Sequence, residues 1–509
     1  MSNPTAAQLS TLPFEKHPKP ASPDPALDDV ADKYIVASEH EEVPSYTCTE
    51  ARQILRKVDL ALIPVLVLIY LHKNMDQFIV SYLVPMQKGK PTNVLKQLNM
   101  TADDWSMITT FQTIPSVFFE VPSNLLMKKF GPRFHFMRIV LLWSLSGAMG
   151  ALAKNKGGLW ATRFFLGVLE AGVYPGILAH LTYWYRPDEI AVRMIGVATA
   201  AAFSSIFDAL LAWAITYIDG LHGISSWQWY FIILGLVGVP VAAIVWFFLP
   251  NYPETARFLT PREKQILISR LPASSSRRSD ANWDPKAIWS ELKSPLIYVF
   301  TGMQLFQNIG TYGLQFWLPS IIASFGFTTT QSSQLLNIPP TVVGLCASFF
   351  WAWLSDQTLG VPKLLYLIGA IAWTMTSFFC LAFVKNKVPR ESGLLENSEV
   401  STSFFAVLWP WRSQTMKGAT STAFVFSFQN GMAQWSGMIG GSLLLSHTKY
   451  APRYTIPFMV CVIFQFVAGL TATYGWYLSR HTERAIRQEA KLRKDEARQQ
   501  RLEGSQEKS

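Results

Sequence analysis

Charge is scarce in this chain of 509 residues: Asp, Glu, Lys and Arg make up 15% of it, against roughly 25% in soluble globular proteins. That shortage excludes disorder over most of the length and argues against a soluble enzyme. Cysteine is scarcer still, with four residues. Cys48 lies in a polar stretch and Cys346, Cys380 and Cys461 lie in apolar runs. This is neither a disulfide framework nor a metal-ligand spacing, so no metal site is expected. No apolar core follows Met1, so no secretory signal peptide is expected. The chain has no P-loop and no dinucleotide fingerprint, which argues against an ATP-driven pump and leaves no cofactor to expect. No Ser or Cys has a partnered base legible in the sequence, and an enzyme is not expected.

What the chain does have is apolar length. Hydrophobic residues make up 50% of it and aromatics 14%. A helix crossing a bilayer needs roughly 20 apolar residues, and apolar stretches of that order recur at 59–83, 105–127, 134–154, 158–184, 194–217 and 228–250. A polar stretch, 251–293, interrupts them, with Ser-Ser-Ser-Arg-Arg at 274–278. They resume at 296–322, 333–355, 363–384, 400–412, 419–446 and 455–478. The expected fold is an all-α membrane protein of two six-helix bundles, about twelve spans, the plan of many secondary transporters. The domains are a disordered tail (1–58), an N-terminal bundle (59–250), a linker (251–293), a C-terminal bundle (294–478) and a charged helical tail (479–509).

The tenth segment, 400–412, is short and contains Pro410; a partial span and a re-entrant segment are the alternatives to a full one. The net charge of +10 would suggest nucleic acid in a soluble protein. Here its placement sets topology instead, and no nucleic-acid partner is expected. Lys and Arg concentrate in the linker, in the tail after 479, and at Lys128, Lys129, Arg133 and Arg138. By the positive-inside rule all three regions are cytoplasmic, as are both termini. An even number of crossings then separates linker from tail, so 400–412 counts as a span. Residues 84–104 fall outside, where Asn99-Met100-Thr101 is a glycosylation sequon.

Six strings in order resemble the major facilitator superfamily, and within it the fungal anion:cation symporter family of allantoate, nicotinate, biotin and pantothenate permeases. They are Leu55 to Leu60; Phe119-Glu120-Val121-Pro122-Ser123-Asn124 through Arg133; Arg163 to Gly172 with Pro175-Gly176 and Trp184-Tyr185; Leu249-Pro250 through Thr260; Ile338-Pro339-Pro340 through Asp356; and Ala451-Pro452-Arg453-Tyr454. The resemblance covers roughly 50–480. It implies a plasma-membrane transporter, expected to be a monomer, that takes up a small organic anion with protons. A metabolite exporter of the same fold and a non-transporting nutrient sensor are the alternatives. The chain departs from the family at Met75-Asp76-Gln77, where members carry Leu-Asp-Arg (or Lys) and then Asn. It departs also at Trp227-Gln228-Trp229, where Trp-Arg-Trp is usual, and at Asp208, where a small residue is usual.

An ionised side chain at mid-span costs ~2.5–3.5 kcal/mol on insertion scales, so each needs a reason. Arg163, Gly167 and Ala171 share a helix face, with Glu170 two turns from Arg163. This is either a switch, in which protonating Glu170 frees Arg163 for a substrate carboxylate, or a fixed ion pair. Asp76, three residues from Lys73, is a proton site with a local counter-ion or a polar cap under a snorkelling lysine. Glu120, with Lys128, Lys129, Arg133 and Asp356, belongs to the gate in the resembling families; substrate contact is the alternative for Glu120. Asp208 is a second proton site, a lipid-facing anomaly, or a partner to a neighbouring helix. Gln304, Asn308, Tyr312 and Gln315 recur at spacings of four and three, one stripe that either orients a polar solute or bonds helices together. His180 is expected to be an interior histidine. Gly172 with Gly176, and Gly437 with Gly441, read as helix-packing pairs.

Overall fold

The computed structural model describes residues 46–186, 189–271, 285–324, 362–383, 419–440 and 455–506, with scattered residues in 335–354 and 404–416. Asp356, the 274–278 string, Ala451–Tyr454 and the tail 1–45 lie outside the described residues, as do most of the eighth segment and part of the tenth.

Helix α1 runs Cys48–Leu83, begun by Thr47, whose side chain accepts from the Glu50 amide. Its 36 residues span about 54 Å, more than the ~30 Å hydrocarbon core. The part before Asp59 therefore extends past the bilayer, and the stretch expected to be tail is helical from Cys48. Helix α2 is Ala102–Phe130, opened by a Thr101/Asp104 capping box. Gly131, at φ 82°, ends it, and Pro132 starts α3, Pro132–Met149.

The expected span 158–184 is two helices. Helix α4, Lys156–Glu170, stops at Ala171, and Gly172 (φ 90°) turns the chain into α5, Val173–Leu181. Only glycine enters this turn easily: a Cβ at Gly172 would lie 2.8 Å from Asn124 Nδ2 on α2. Helices α6, Ile190–Ile215, and α7, Ser226–Phe248, complete the first half. The polar linker is largely helical where described, as α8, Pro261–Arg270, and α9, Pro285–Lys293. Then follow α10, Pro295–Ser324, α11, Lys363–Phe383, α12, Ala419–Met438, and α13, Thr455–Gln506. Residues 404–405, 407–409 and 411–413 are helical within the short tenth segment.

Within the first half α1 packs on α6, α2 on α4 and α3 on α7; within the second, α10 and α11 pack on α13 and α10 on α12. Across the halves α12 meets α2 and α5, and α10 meets α1. Lipid offers no hydrophobic drive for these contacts, so they rely on close approach. At Gly167 on α4 an added Cβ would sit 2.2 Å from the Gln112 carbonyl oxygen on α2. Four described stretches, Pro132–Leu152, Lys156–Leu181, Ser226–Phe248 and Ile456–Arg484, are long and apolar enough to cross a membrane by themselves.

The linker side is tied by charge. On α8, Glu263 pairs with Lys57 and Arg262 with Glu50; Arg270 pairs with Glu189. On α9, Glu291 bonds Ser421 and lies 3.8 Å from Arg412. The charged tail begins inside the fold: Glu483 is buried and accepts the Lys363 amide at the start of α11.

Candidate functional site: a charged cavity between the halves

Between the halves lies a cavity of ≈ 200 Å³. Helix α1 contributes Tyr70, Lys73, Asn74 and Gln77; α2 contributes Gln112, Ser116 and Glu120. Glu170 enters where α4 breaks, and the second half supplies Gln304, Asn308, Tyr312, Asn430 and Gln434. Among the described lining residues Lys73 is the one Lys or Arg, and Glu120 and Glu170 are the two carboxylates.

Lys73 Nζ lies 3.3 Å from Glu170 Oε1 and donates to Gln77 Oε1. Glu170 Oε2 accepts from Gln112 Nε2 at 2.8 Å. Glu120 faces them from α2 and accepts across the interface, from Asn430 at 2.5 Å and Gln434 at 3.1 Å. Two further bonds continue toward the linker at one-turn steps along α2: Asn124 to Ser427 at 3.0 Å and Lys128 to Thr420 at 2.6 Å. An aromatic floor lies on the same side. Tyr70 stacks on Tyr174 at 4.9 Å, and Tyr174 meets Trp409 of the second half edge-on at 5.7 Å.

Several sequence-based expectations change place. Arg163 and Glu170 do not pair. They share a face, but seven residues separate them by about 10 Å, and helical side chains lean toward the N-terminus. Arg163 therefore turns inward within the first half. Its guanidinium lies 5.0 Å from the Phe231 ring centre and 3.5 Å from the Asp76 carbonyl oxygen, and it is not among the cavity-lining residues. Asp76 is buried away from the cavity beside Gly147, where an added Cβ would lie 3.4 Å from Oδ1. Lys73 forms its ion pair with Glu170 instead.

Asp208 is fully buried and takes the third of its alternatives: Oδ1 accepts from Tyr230 of α7 at 2.9 Å. Gln304 lines the cavity and accepts from Gln429 at 2.9 Å, so it bonds a neighbouring helix as well as facing the solute space. Asn308 and Tyr312 line it too; the Gln315 side chain lies outside the described residues. Of the basic loop, Lys128 alone is recorded crossing to the other half. Arg133 holds Leu249 O and Asn251, and Lys129 lies over Phe130. Asn99 is exposed, at φ 50°. His180 is fully buried among aromatic rings. A Cβ added at Gly176 would lie 2.6 Å from Asn124 Oδ1, whereas one added at Gly437, on the cavity wall, would meet no described residue within 4 Å.

The sequence reading missed Lys73 as the cavity cation, and it missed Gln112, Asn430 and Gln434. Asn430 and Gln434 had a signal: two polar residues one turn apart in an apolar span, the spacing already noted for Gln304 and Asn308.

A cavity at the interface of two helical halves, lined by ionisable groups, is the geometry of a secondary transporter's solute site. The comparisons agree. An uncharacterized transporter of Schizosaccharomyces pombe is 26% identical over 435 residues, 86% of this chain and 85% of that protein. A protein of Agrobacterium vitis, whose name assigns it to tartrate transport, is 26% identical over 405 residues, 78% of this chain and 85% of its own. The E. coli xylose transporter XylE, partially occluded and inward-open, superposes with a TM-score of 0.60 at 13% identity, over 81% of this chain and 96% of its own. The Major Facilitator Superfamily model matches residues 66–442, and the chain belongs to that superfamily as a multi-pass membrane transporter.

Proposed function

We propose that this transporter imports a small organic anion together with protons, by alternating access around the cavity. The observation that carries the reading is the Lys73–Glu170 pair, 3.3 Å apart on the cavity wall. While both are ionised, the protein's own carboxylate satisfies Lys73. A proton on Glu170 removes that charge, leaving Lys73 to Gln77 and to a substrate carboxylate that takes the vacated place. Glu120 is the second proton acceptor, and its bonds to Asn430 and Gln434 make its charge state part of the closure between the halves. Lys128, bonded to Thr420, closes the linker side.

Side-chain amides line much of the rest of the wall, suited to an amide-bearing or heterocyclic carboxylate such as a vitamin. The relative named for tartrate, itself a carboxylate, and the resemblance to anion:cation symporters support an anionic substrate. The protein sits in the plasma membrane, with the linker and the basic tail in the cytoplasm by their Lys and Arg content. Asn99 then faces outside and is a glycosylation site.

Uptake of labelled nicotinate, biotin, pantothenate, allantoate and tartrate, at pH 5 and pH 7.5 with and without a protonophore, tests the reading. One of these solutes is taken up faster at pH 5, and the protonophore abolishes the effect. Uptake indifferent to both pH and protonophore, or no uptake with the protein at the cell surface, overturns it.

A further inference from the structure

A second hollow, of ≈ 580 Å³, lies apart from the cavity, where α1 and α7 meet the linker. Its wall is apolar: Leu60 and Pro64 of α1, Phe247 and Phe248 of α7. Leu60, Phe247 and Phe248 are 70%, 72% and 67% exposed. Its rim is cationic, with Arg133 and Arg257 both lining it.

The depth of this hollow is fixed by its neighbours. One turn before Leu60 the helix is charged: Lys57 pairs with Glu263, and Asp59 pairs with Arg193 at 2.9 Å. Beyond Leu60 the outward face is apolar. The hollow therefore straddles the boundary between acyl chains and headgroups on the linker side, its apolar wall toward the bilayer and its rim toward water.

The two arginines have hydrogen-bonding capacity to spare. Arg133 commits Nε to the Leu249 carbonyl at 2.7 Å, and its backbone amide to Asn251. That bond orients the guanidinium and leaves its terminal nitrogens available. Arg257 is exposed, and neither arginine is in an ion pair among the described residues. No carboxylate lines the hollow.

We propose that this hollow binds one anionic phospholipid of the linker-side leaflet. Arg133 and Arg257 hold the phosphate, for which a guanidinium offers a planar pair of donors. The acyl chains lie along Leu60, Pro64, Phe247 and Phe248. Charge complementarity selects the occupant: two cations with no acid between them favour a headgroup of net negative charge over a zwitterion. The apolar wall requires a chain as well as a phosphate, which distinguishes lipid from free phosphate. The inference is independent of what the central cavity transports.

Native mass spectrometry of the full-length protein tests it, with phosphatidylglycerol and phosphatidylcholine supplied together at equal concentration. One phosphatidylglycerol stays bound in preference to phosphatidylcholine. Arg257→Gln reduces that occupancy about fivefold, the effect of one basic residue at a charged membrane surface, and leaves the lipid-free unfolding temperature unchanged because the side chain is exposed. Glycerol 3-phosphate, the headgroup chemistry without chains, does not displace the lipid. Equal retention of both lipids, unchanged occupancy in Arg257→Gln, or displacement by glycerol 3-phosphate each overturns the assignment.

Discussion

Replacing Lys73 by Met removes the one cation found on the described cavity wall and nearly preserves side-chain volume. At 3.3 Å from Glu170, and at the effective dielectric of ~20 that suits protein sites, the attraction is about 5 kcal/mol before desolvation. Desolvation offsets much of that. The side chains of Lys73 and Glu170 are 18% and 8% exposed, between a surface pair, worth about 0–1 kcal/mol, and a buried one, whose rupture costs about 3–5 kcal/mol. Lys73→Met is therefore expected to cost about 2 kcal/mol, because Glu170 keeps only its bond from Gln112. Adding Glu170→Gln removes the stranded charge and restores most of the loss. The four proteins form a double-mutant cycle, read by thermal unfolding of purified protein at pH 7, with a coupling energy of about 2 kcal/mol. Anion uptake is lost in Lys73→Met and stays lost in the double variant, since stability returns but the cation does not. A coupling below about 0.5 kcal/mol, or full anion uptake by Lys73→Met, refutes the reasoning.

Gly167→Ala forces a methyl to 2.2 Å from the Gln112 carbonyl oxygen and 2.9 Å from Pro115 Cγ. It should cost more than the usual ~1–3 kcal/mol of overpacking and deplete the monodisperse peak in detergent size exclusion. Gly437→Ala, with nothing within 4 Å, is the silent control; matching profiles for the two variants would disprove the close approach. Asp208→Asn keeps an oxygen for the Tyr230 hydroxyl and should leave both stability and the pH profile of uptake intact. Asp208→Leu leaves that hydroxyl only the main-chain carbonyl oxygen of residue 208, at 3.2 Å, and should cost about 0.5–1.5 kcal/mol for the bond lost; a flattened pH profile in Asp208→Asn would instead make Asp208 a proton site. Glu263, outside the membrane, is held below the usual carboxylate range by Lys57 and the Thr260 amide. A lowered folded-state pKa stabilises above the unfolded value, about 4.3, and is lost only as pH falls through the folded value. Hydrogen exchange across Pro261–Arg270, corrected for intrinsic rates, should thus match at pH 7.5 and pH 5; weaker protection at pH 5 would implicate the linker in any acid stimulation of uptake.

Most spans were legible because a run of apolar residues leaves few alternatives in length or composition. The break at Gly172 was not, because glycine in a span serves equally for close packing and for a turn. Which it does depends on Asn124, far away in sequence. The same break explains the misplaced pair. With Glu170 at the end of a helix, its carboxylate turns to Lys73 and Gln112 rather than back along the face to Arg163. At Gln77 the structure adds only a neighbour. Lys73, one turn earlier on the same helix, donates to Gln77, a pairing that the i, i+4 spacing allows. Periodicity succeeded for Gln304, Asn308 and Tyr312, whose spacing alone puts them on one stripe. It failed for Arg163 and Asp76, because a face shared on one helix does not reveal which neighbour covers it.

The ionisable groups on the described cavity wall set the coupling the proposed mechanism requires. Lys73 carries one positive charge, and Glu120 and Glu170 carry two negative ones. A bound monoanion with both glutamates ionised leaves two uncompensated negative charges in a site largely shielded from water, an arrangement whose desolvation cost is several kcal/mol per ion. One proton leaves one such charge; two protons leave none. The neutral set is favoured once substrate fills the site; in the empty, water-filled cavity both glutamates are ionised, Glu170 paired with Lys73 and Glu120 accepting from Asn430 and Gln434, so the proposed cycle moves two protons and one monoanion, a net single positive charge. Each 100 mV then contributes ~2.3 kcal/mol and each pH unit ~1.4 kcal/mol per proton. For one pH unit and 100 mV the total is about 5 kcal/mol, or accumulation of several thousandfold. A cycle with one proton per monoanion would have only the pH term, about tenfold. Glu120→Gln tests the count. It removes one titrating group while keeping an amide oxygen for Asn430 or Gln434, so uptake should lose its response to membrane potential and keep its response to pH. Substrate-induced inward current that persists undiminished in Glu120→Gln would place the second proton on another group and take Glu120 out of the coupling.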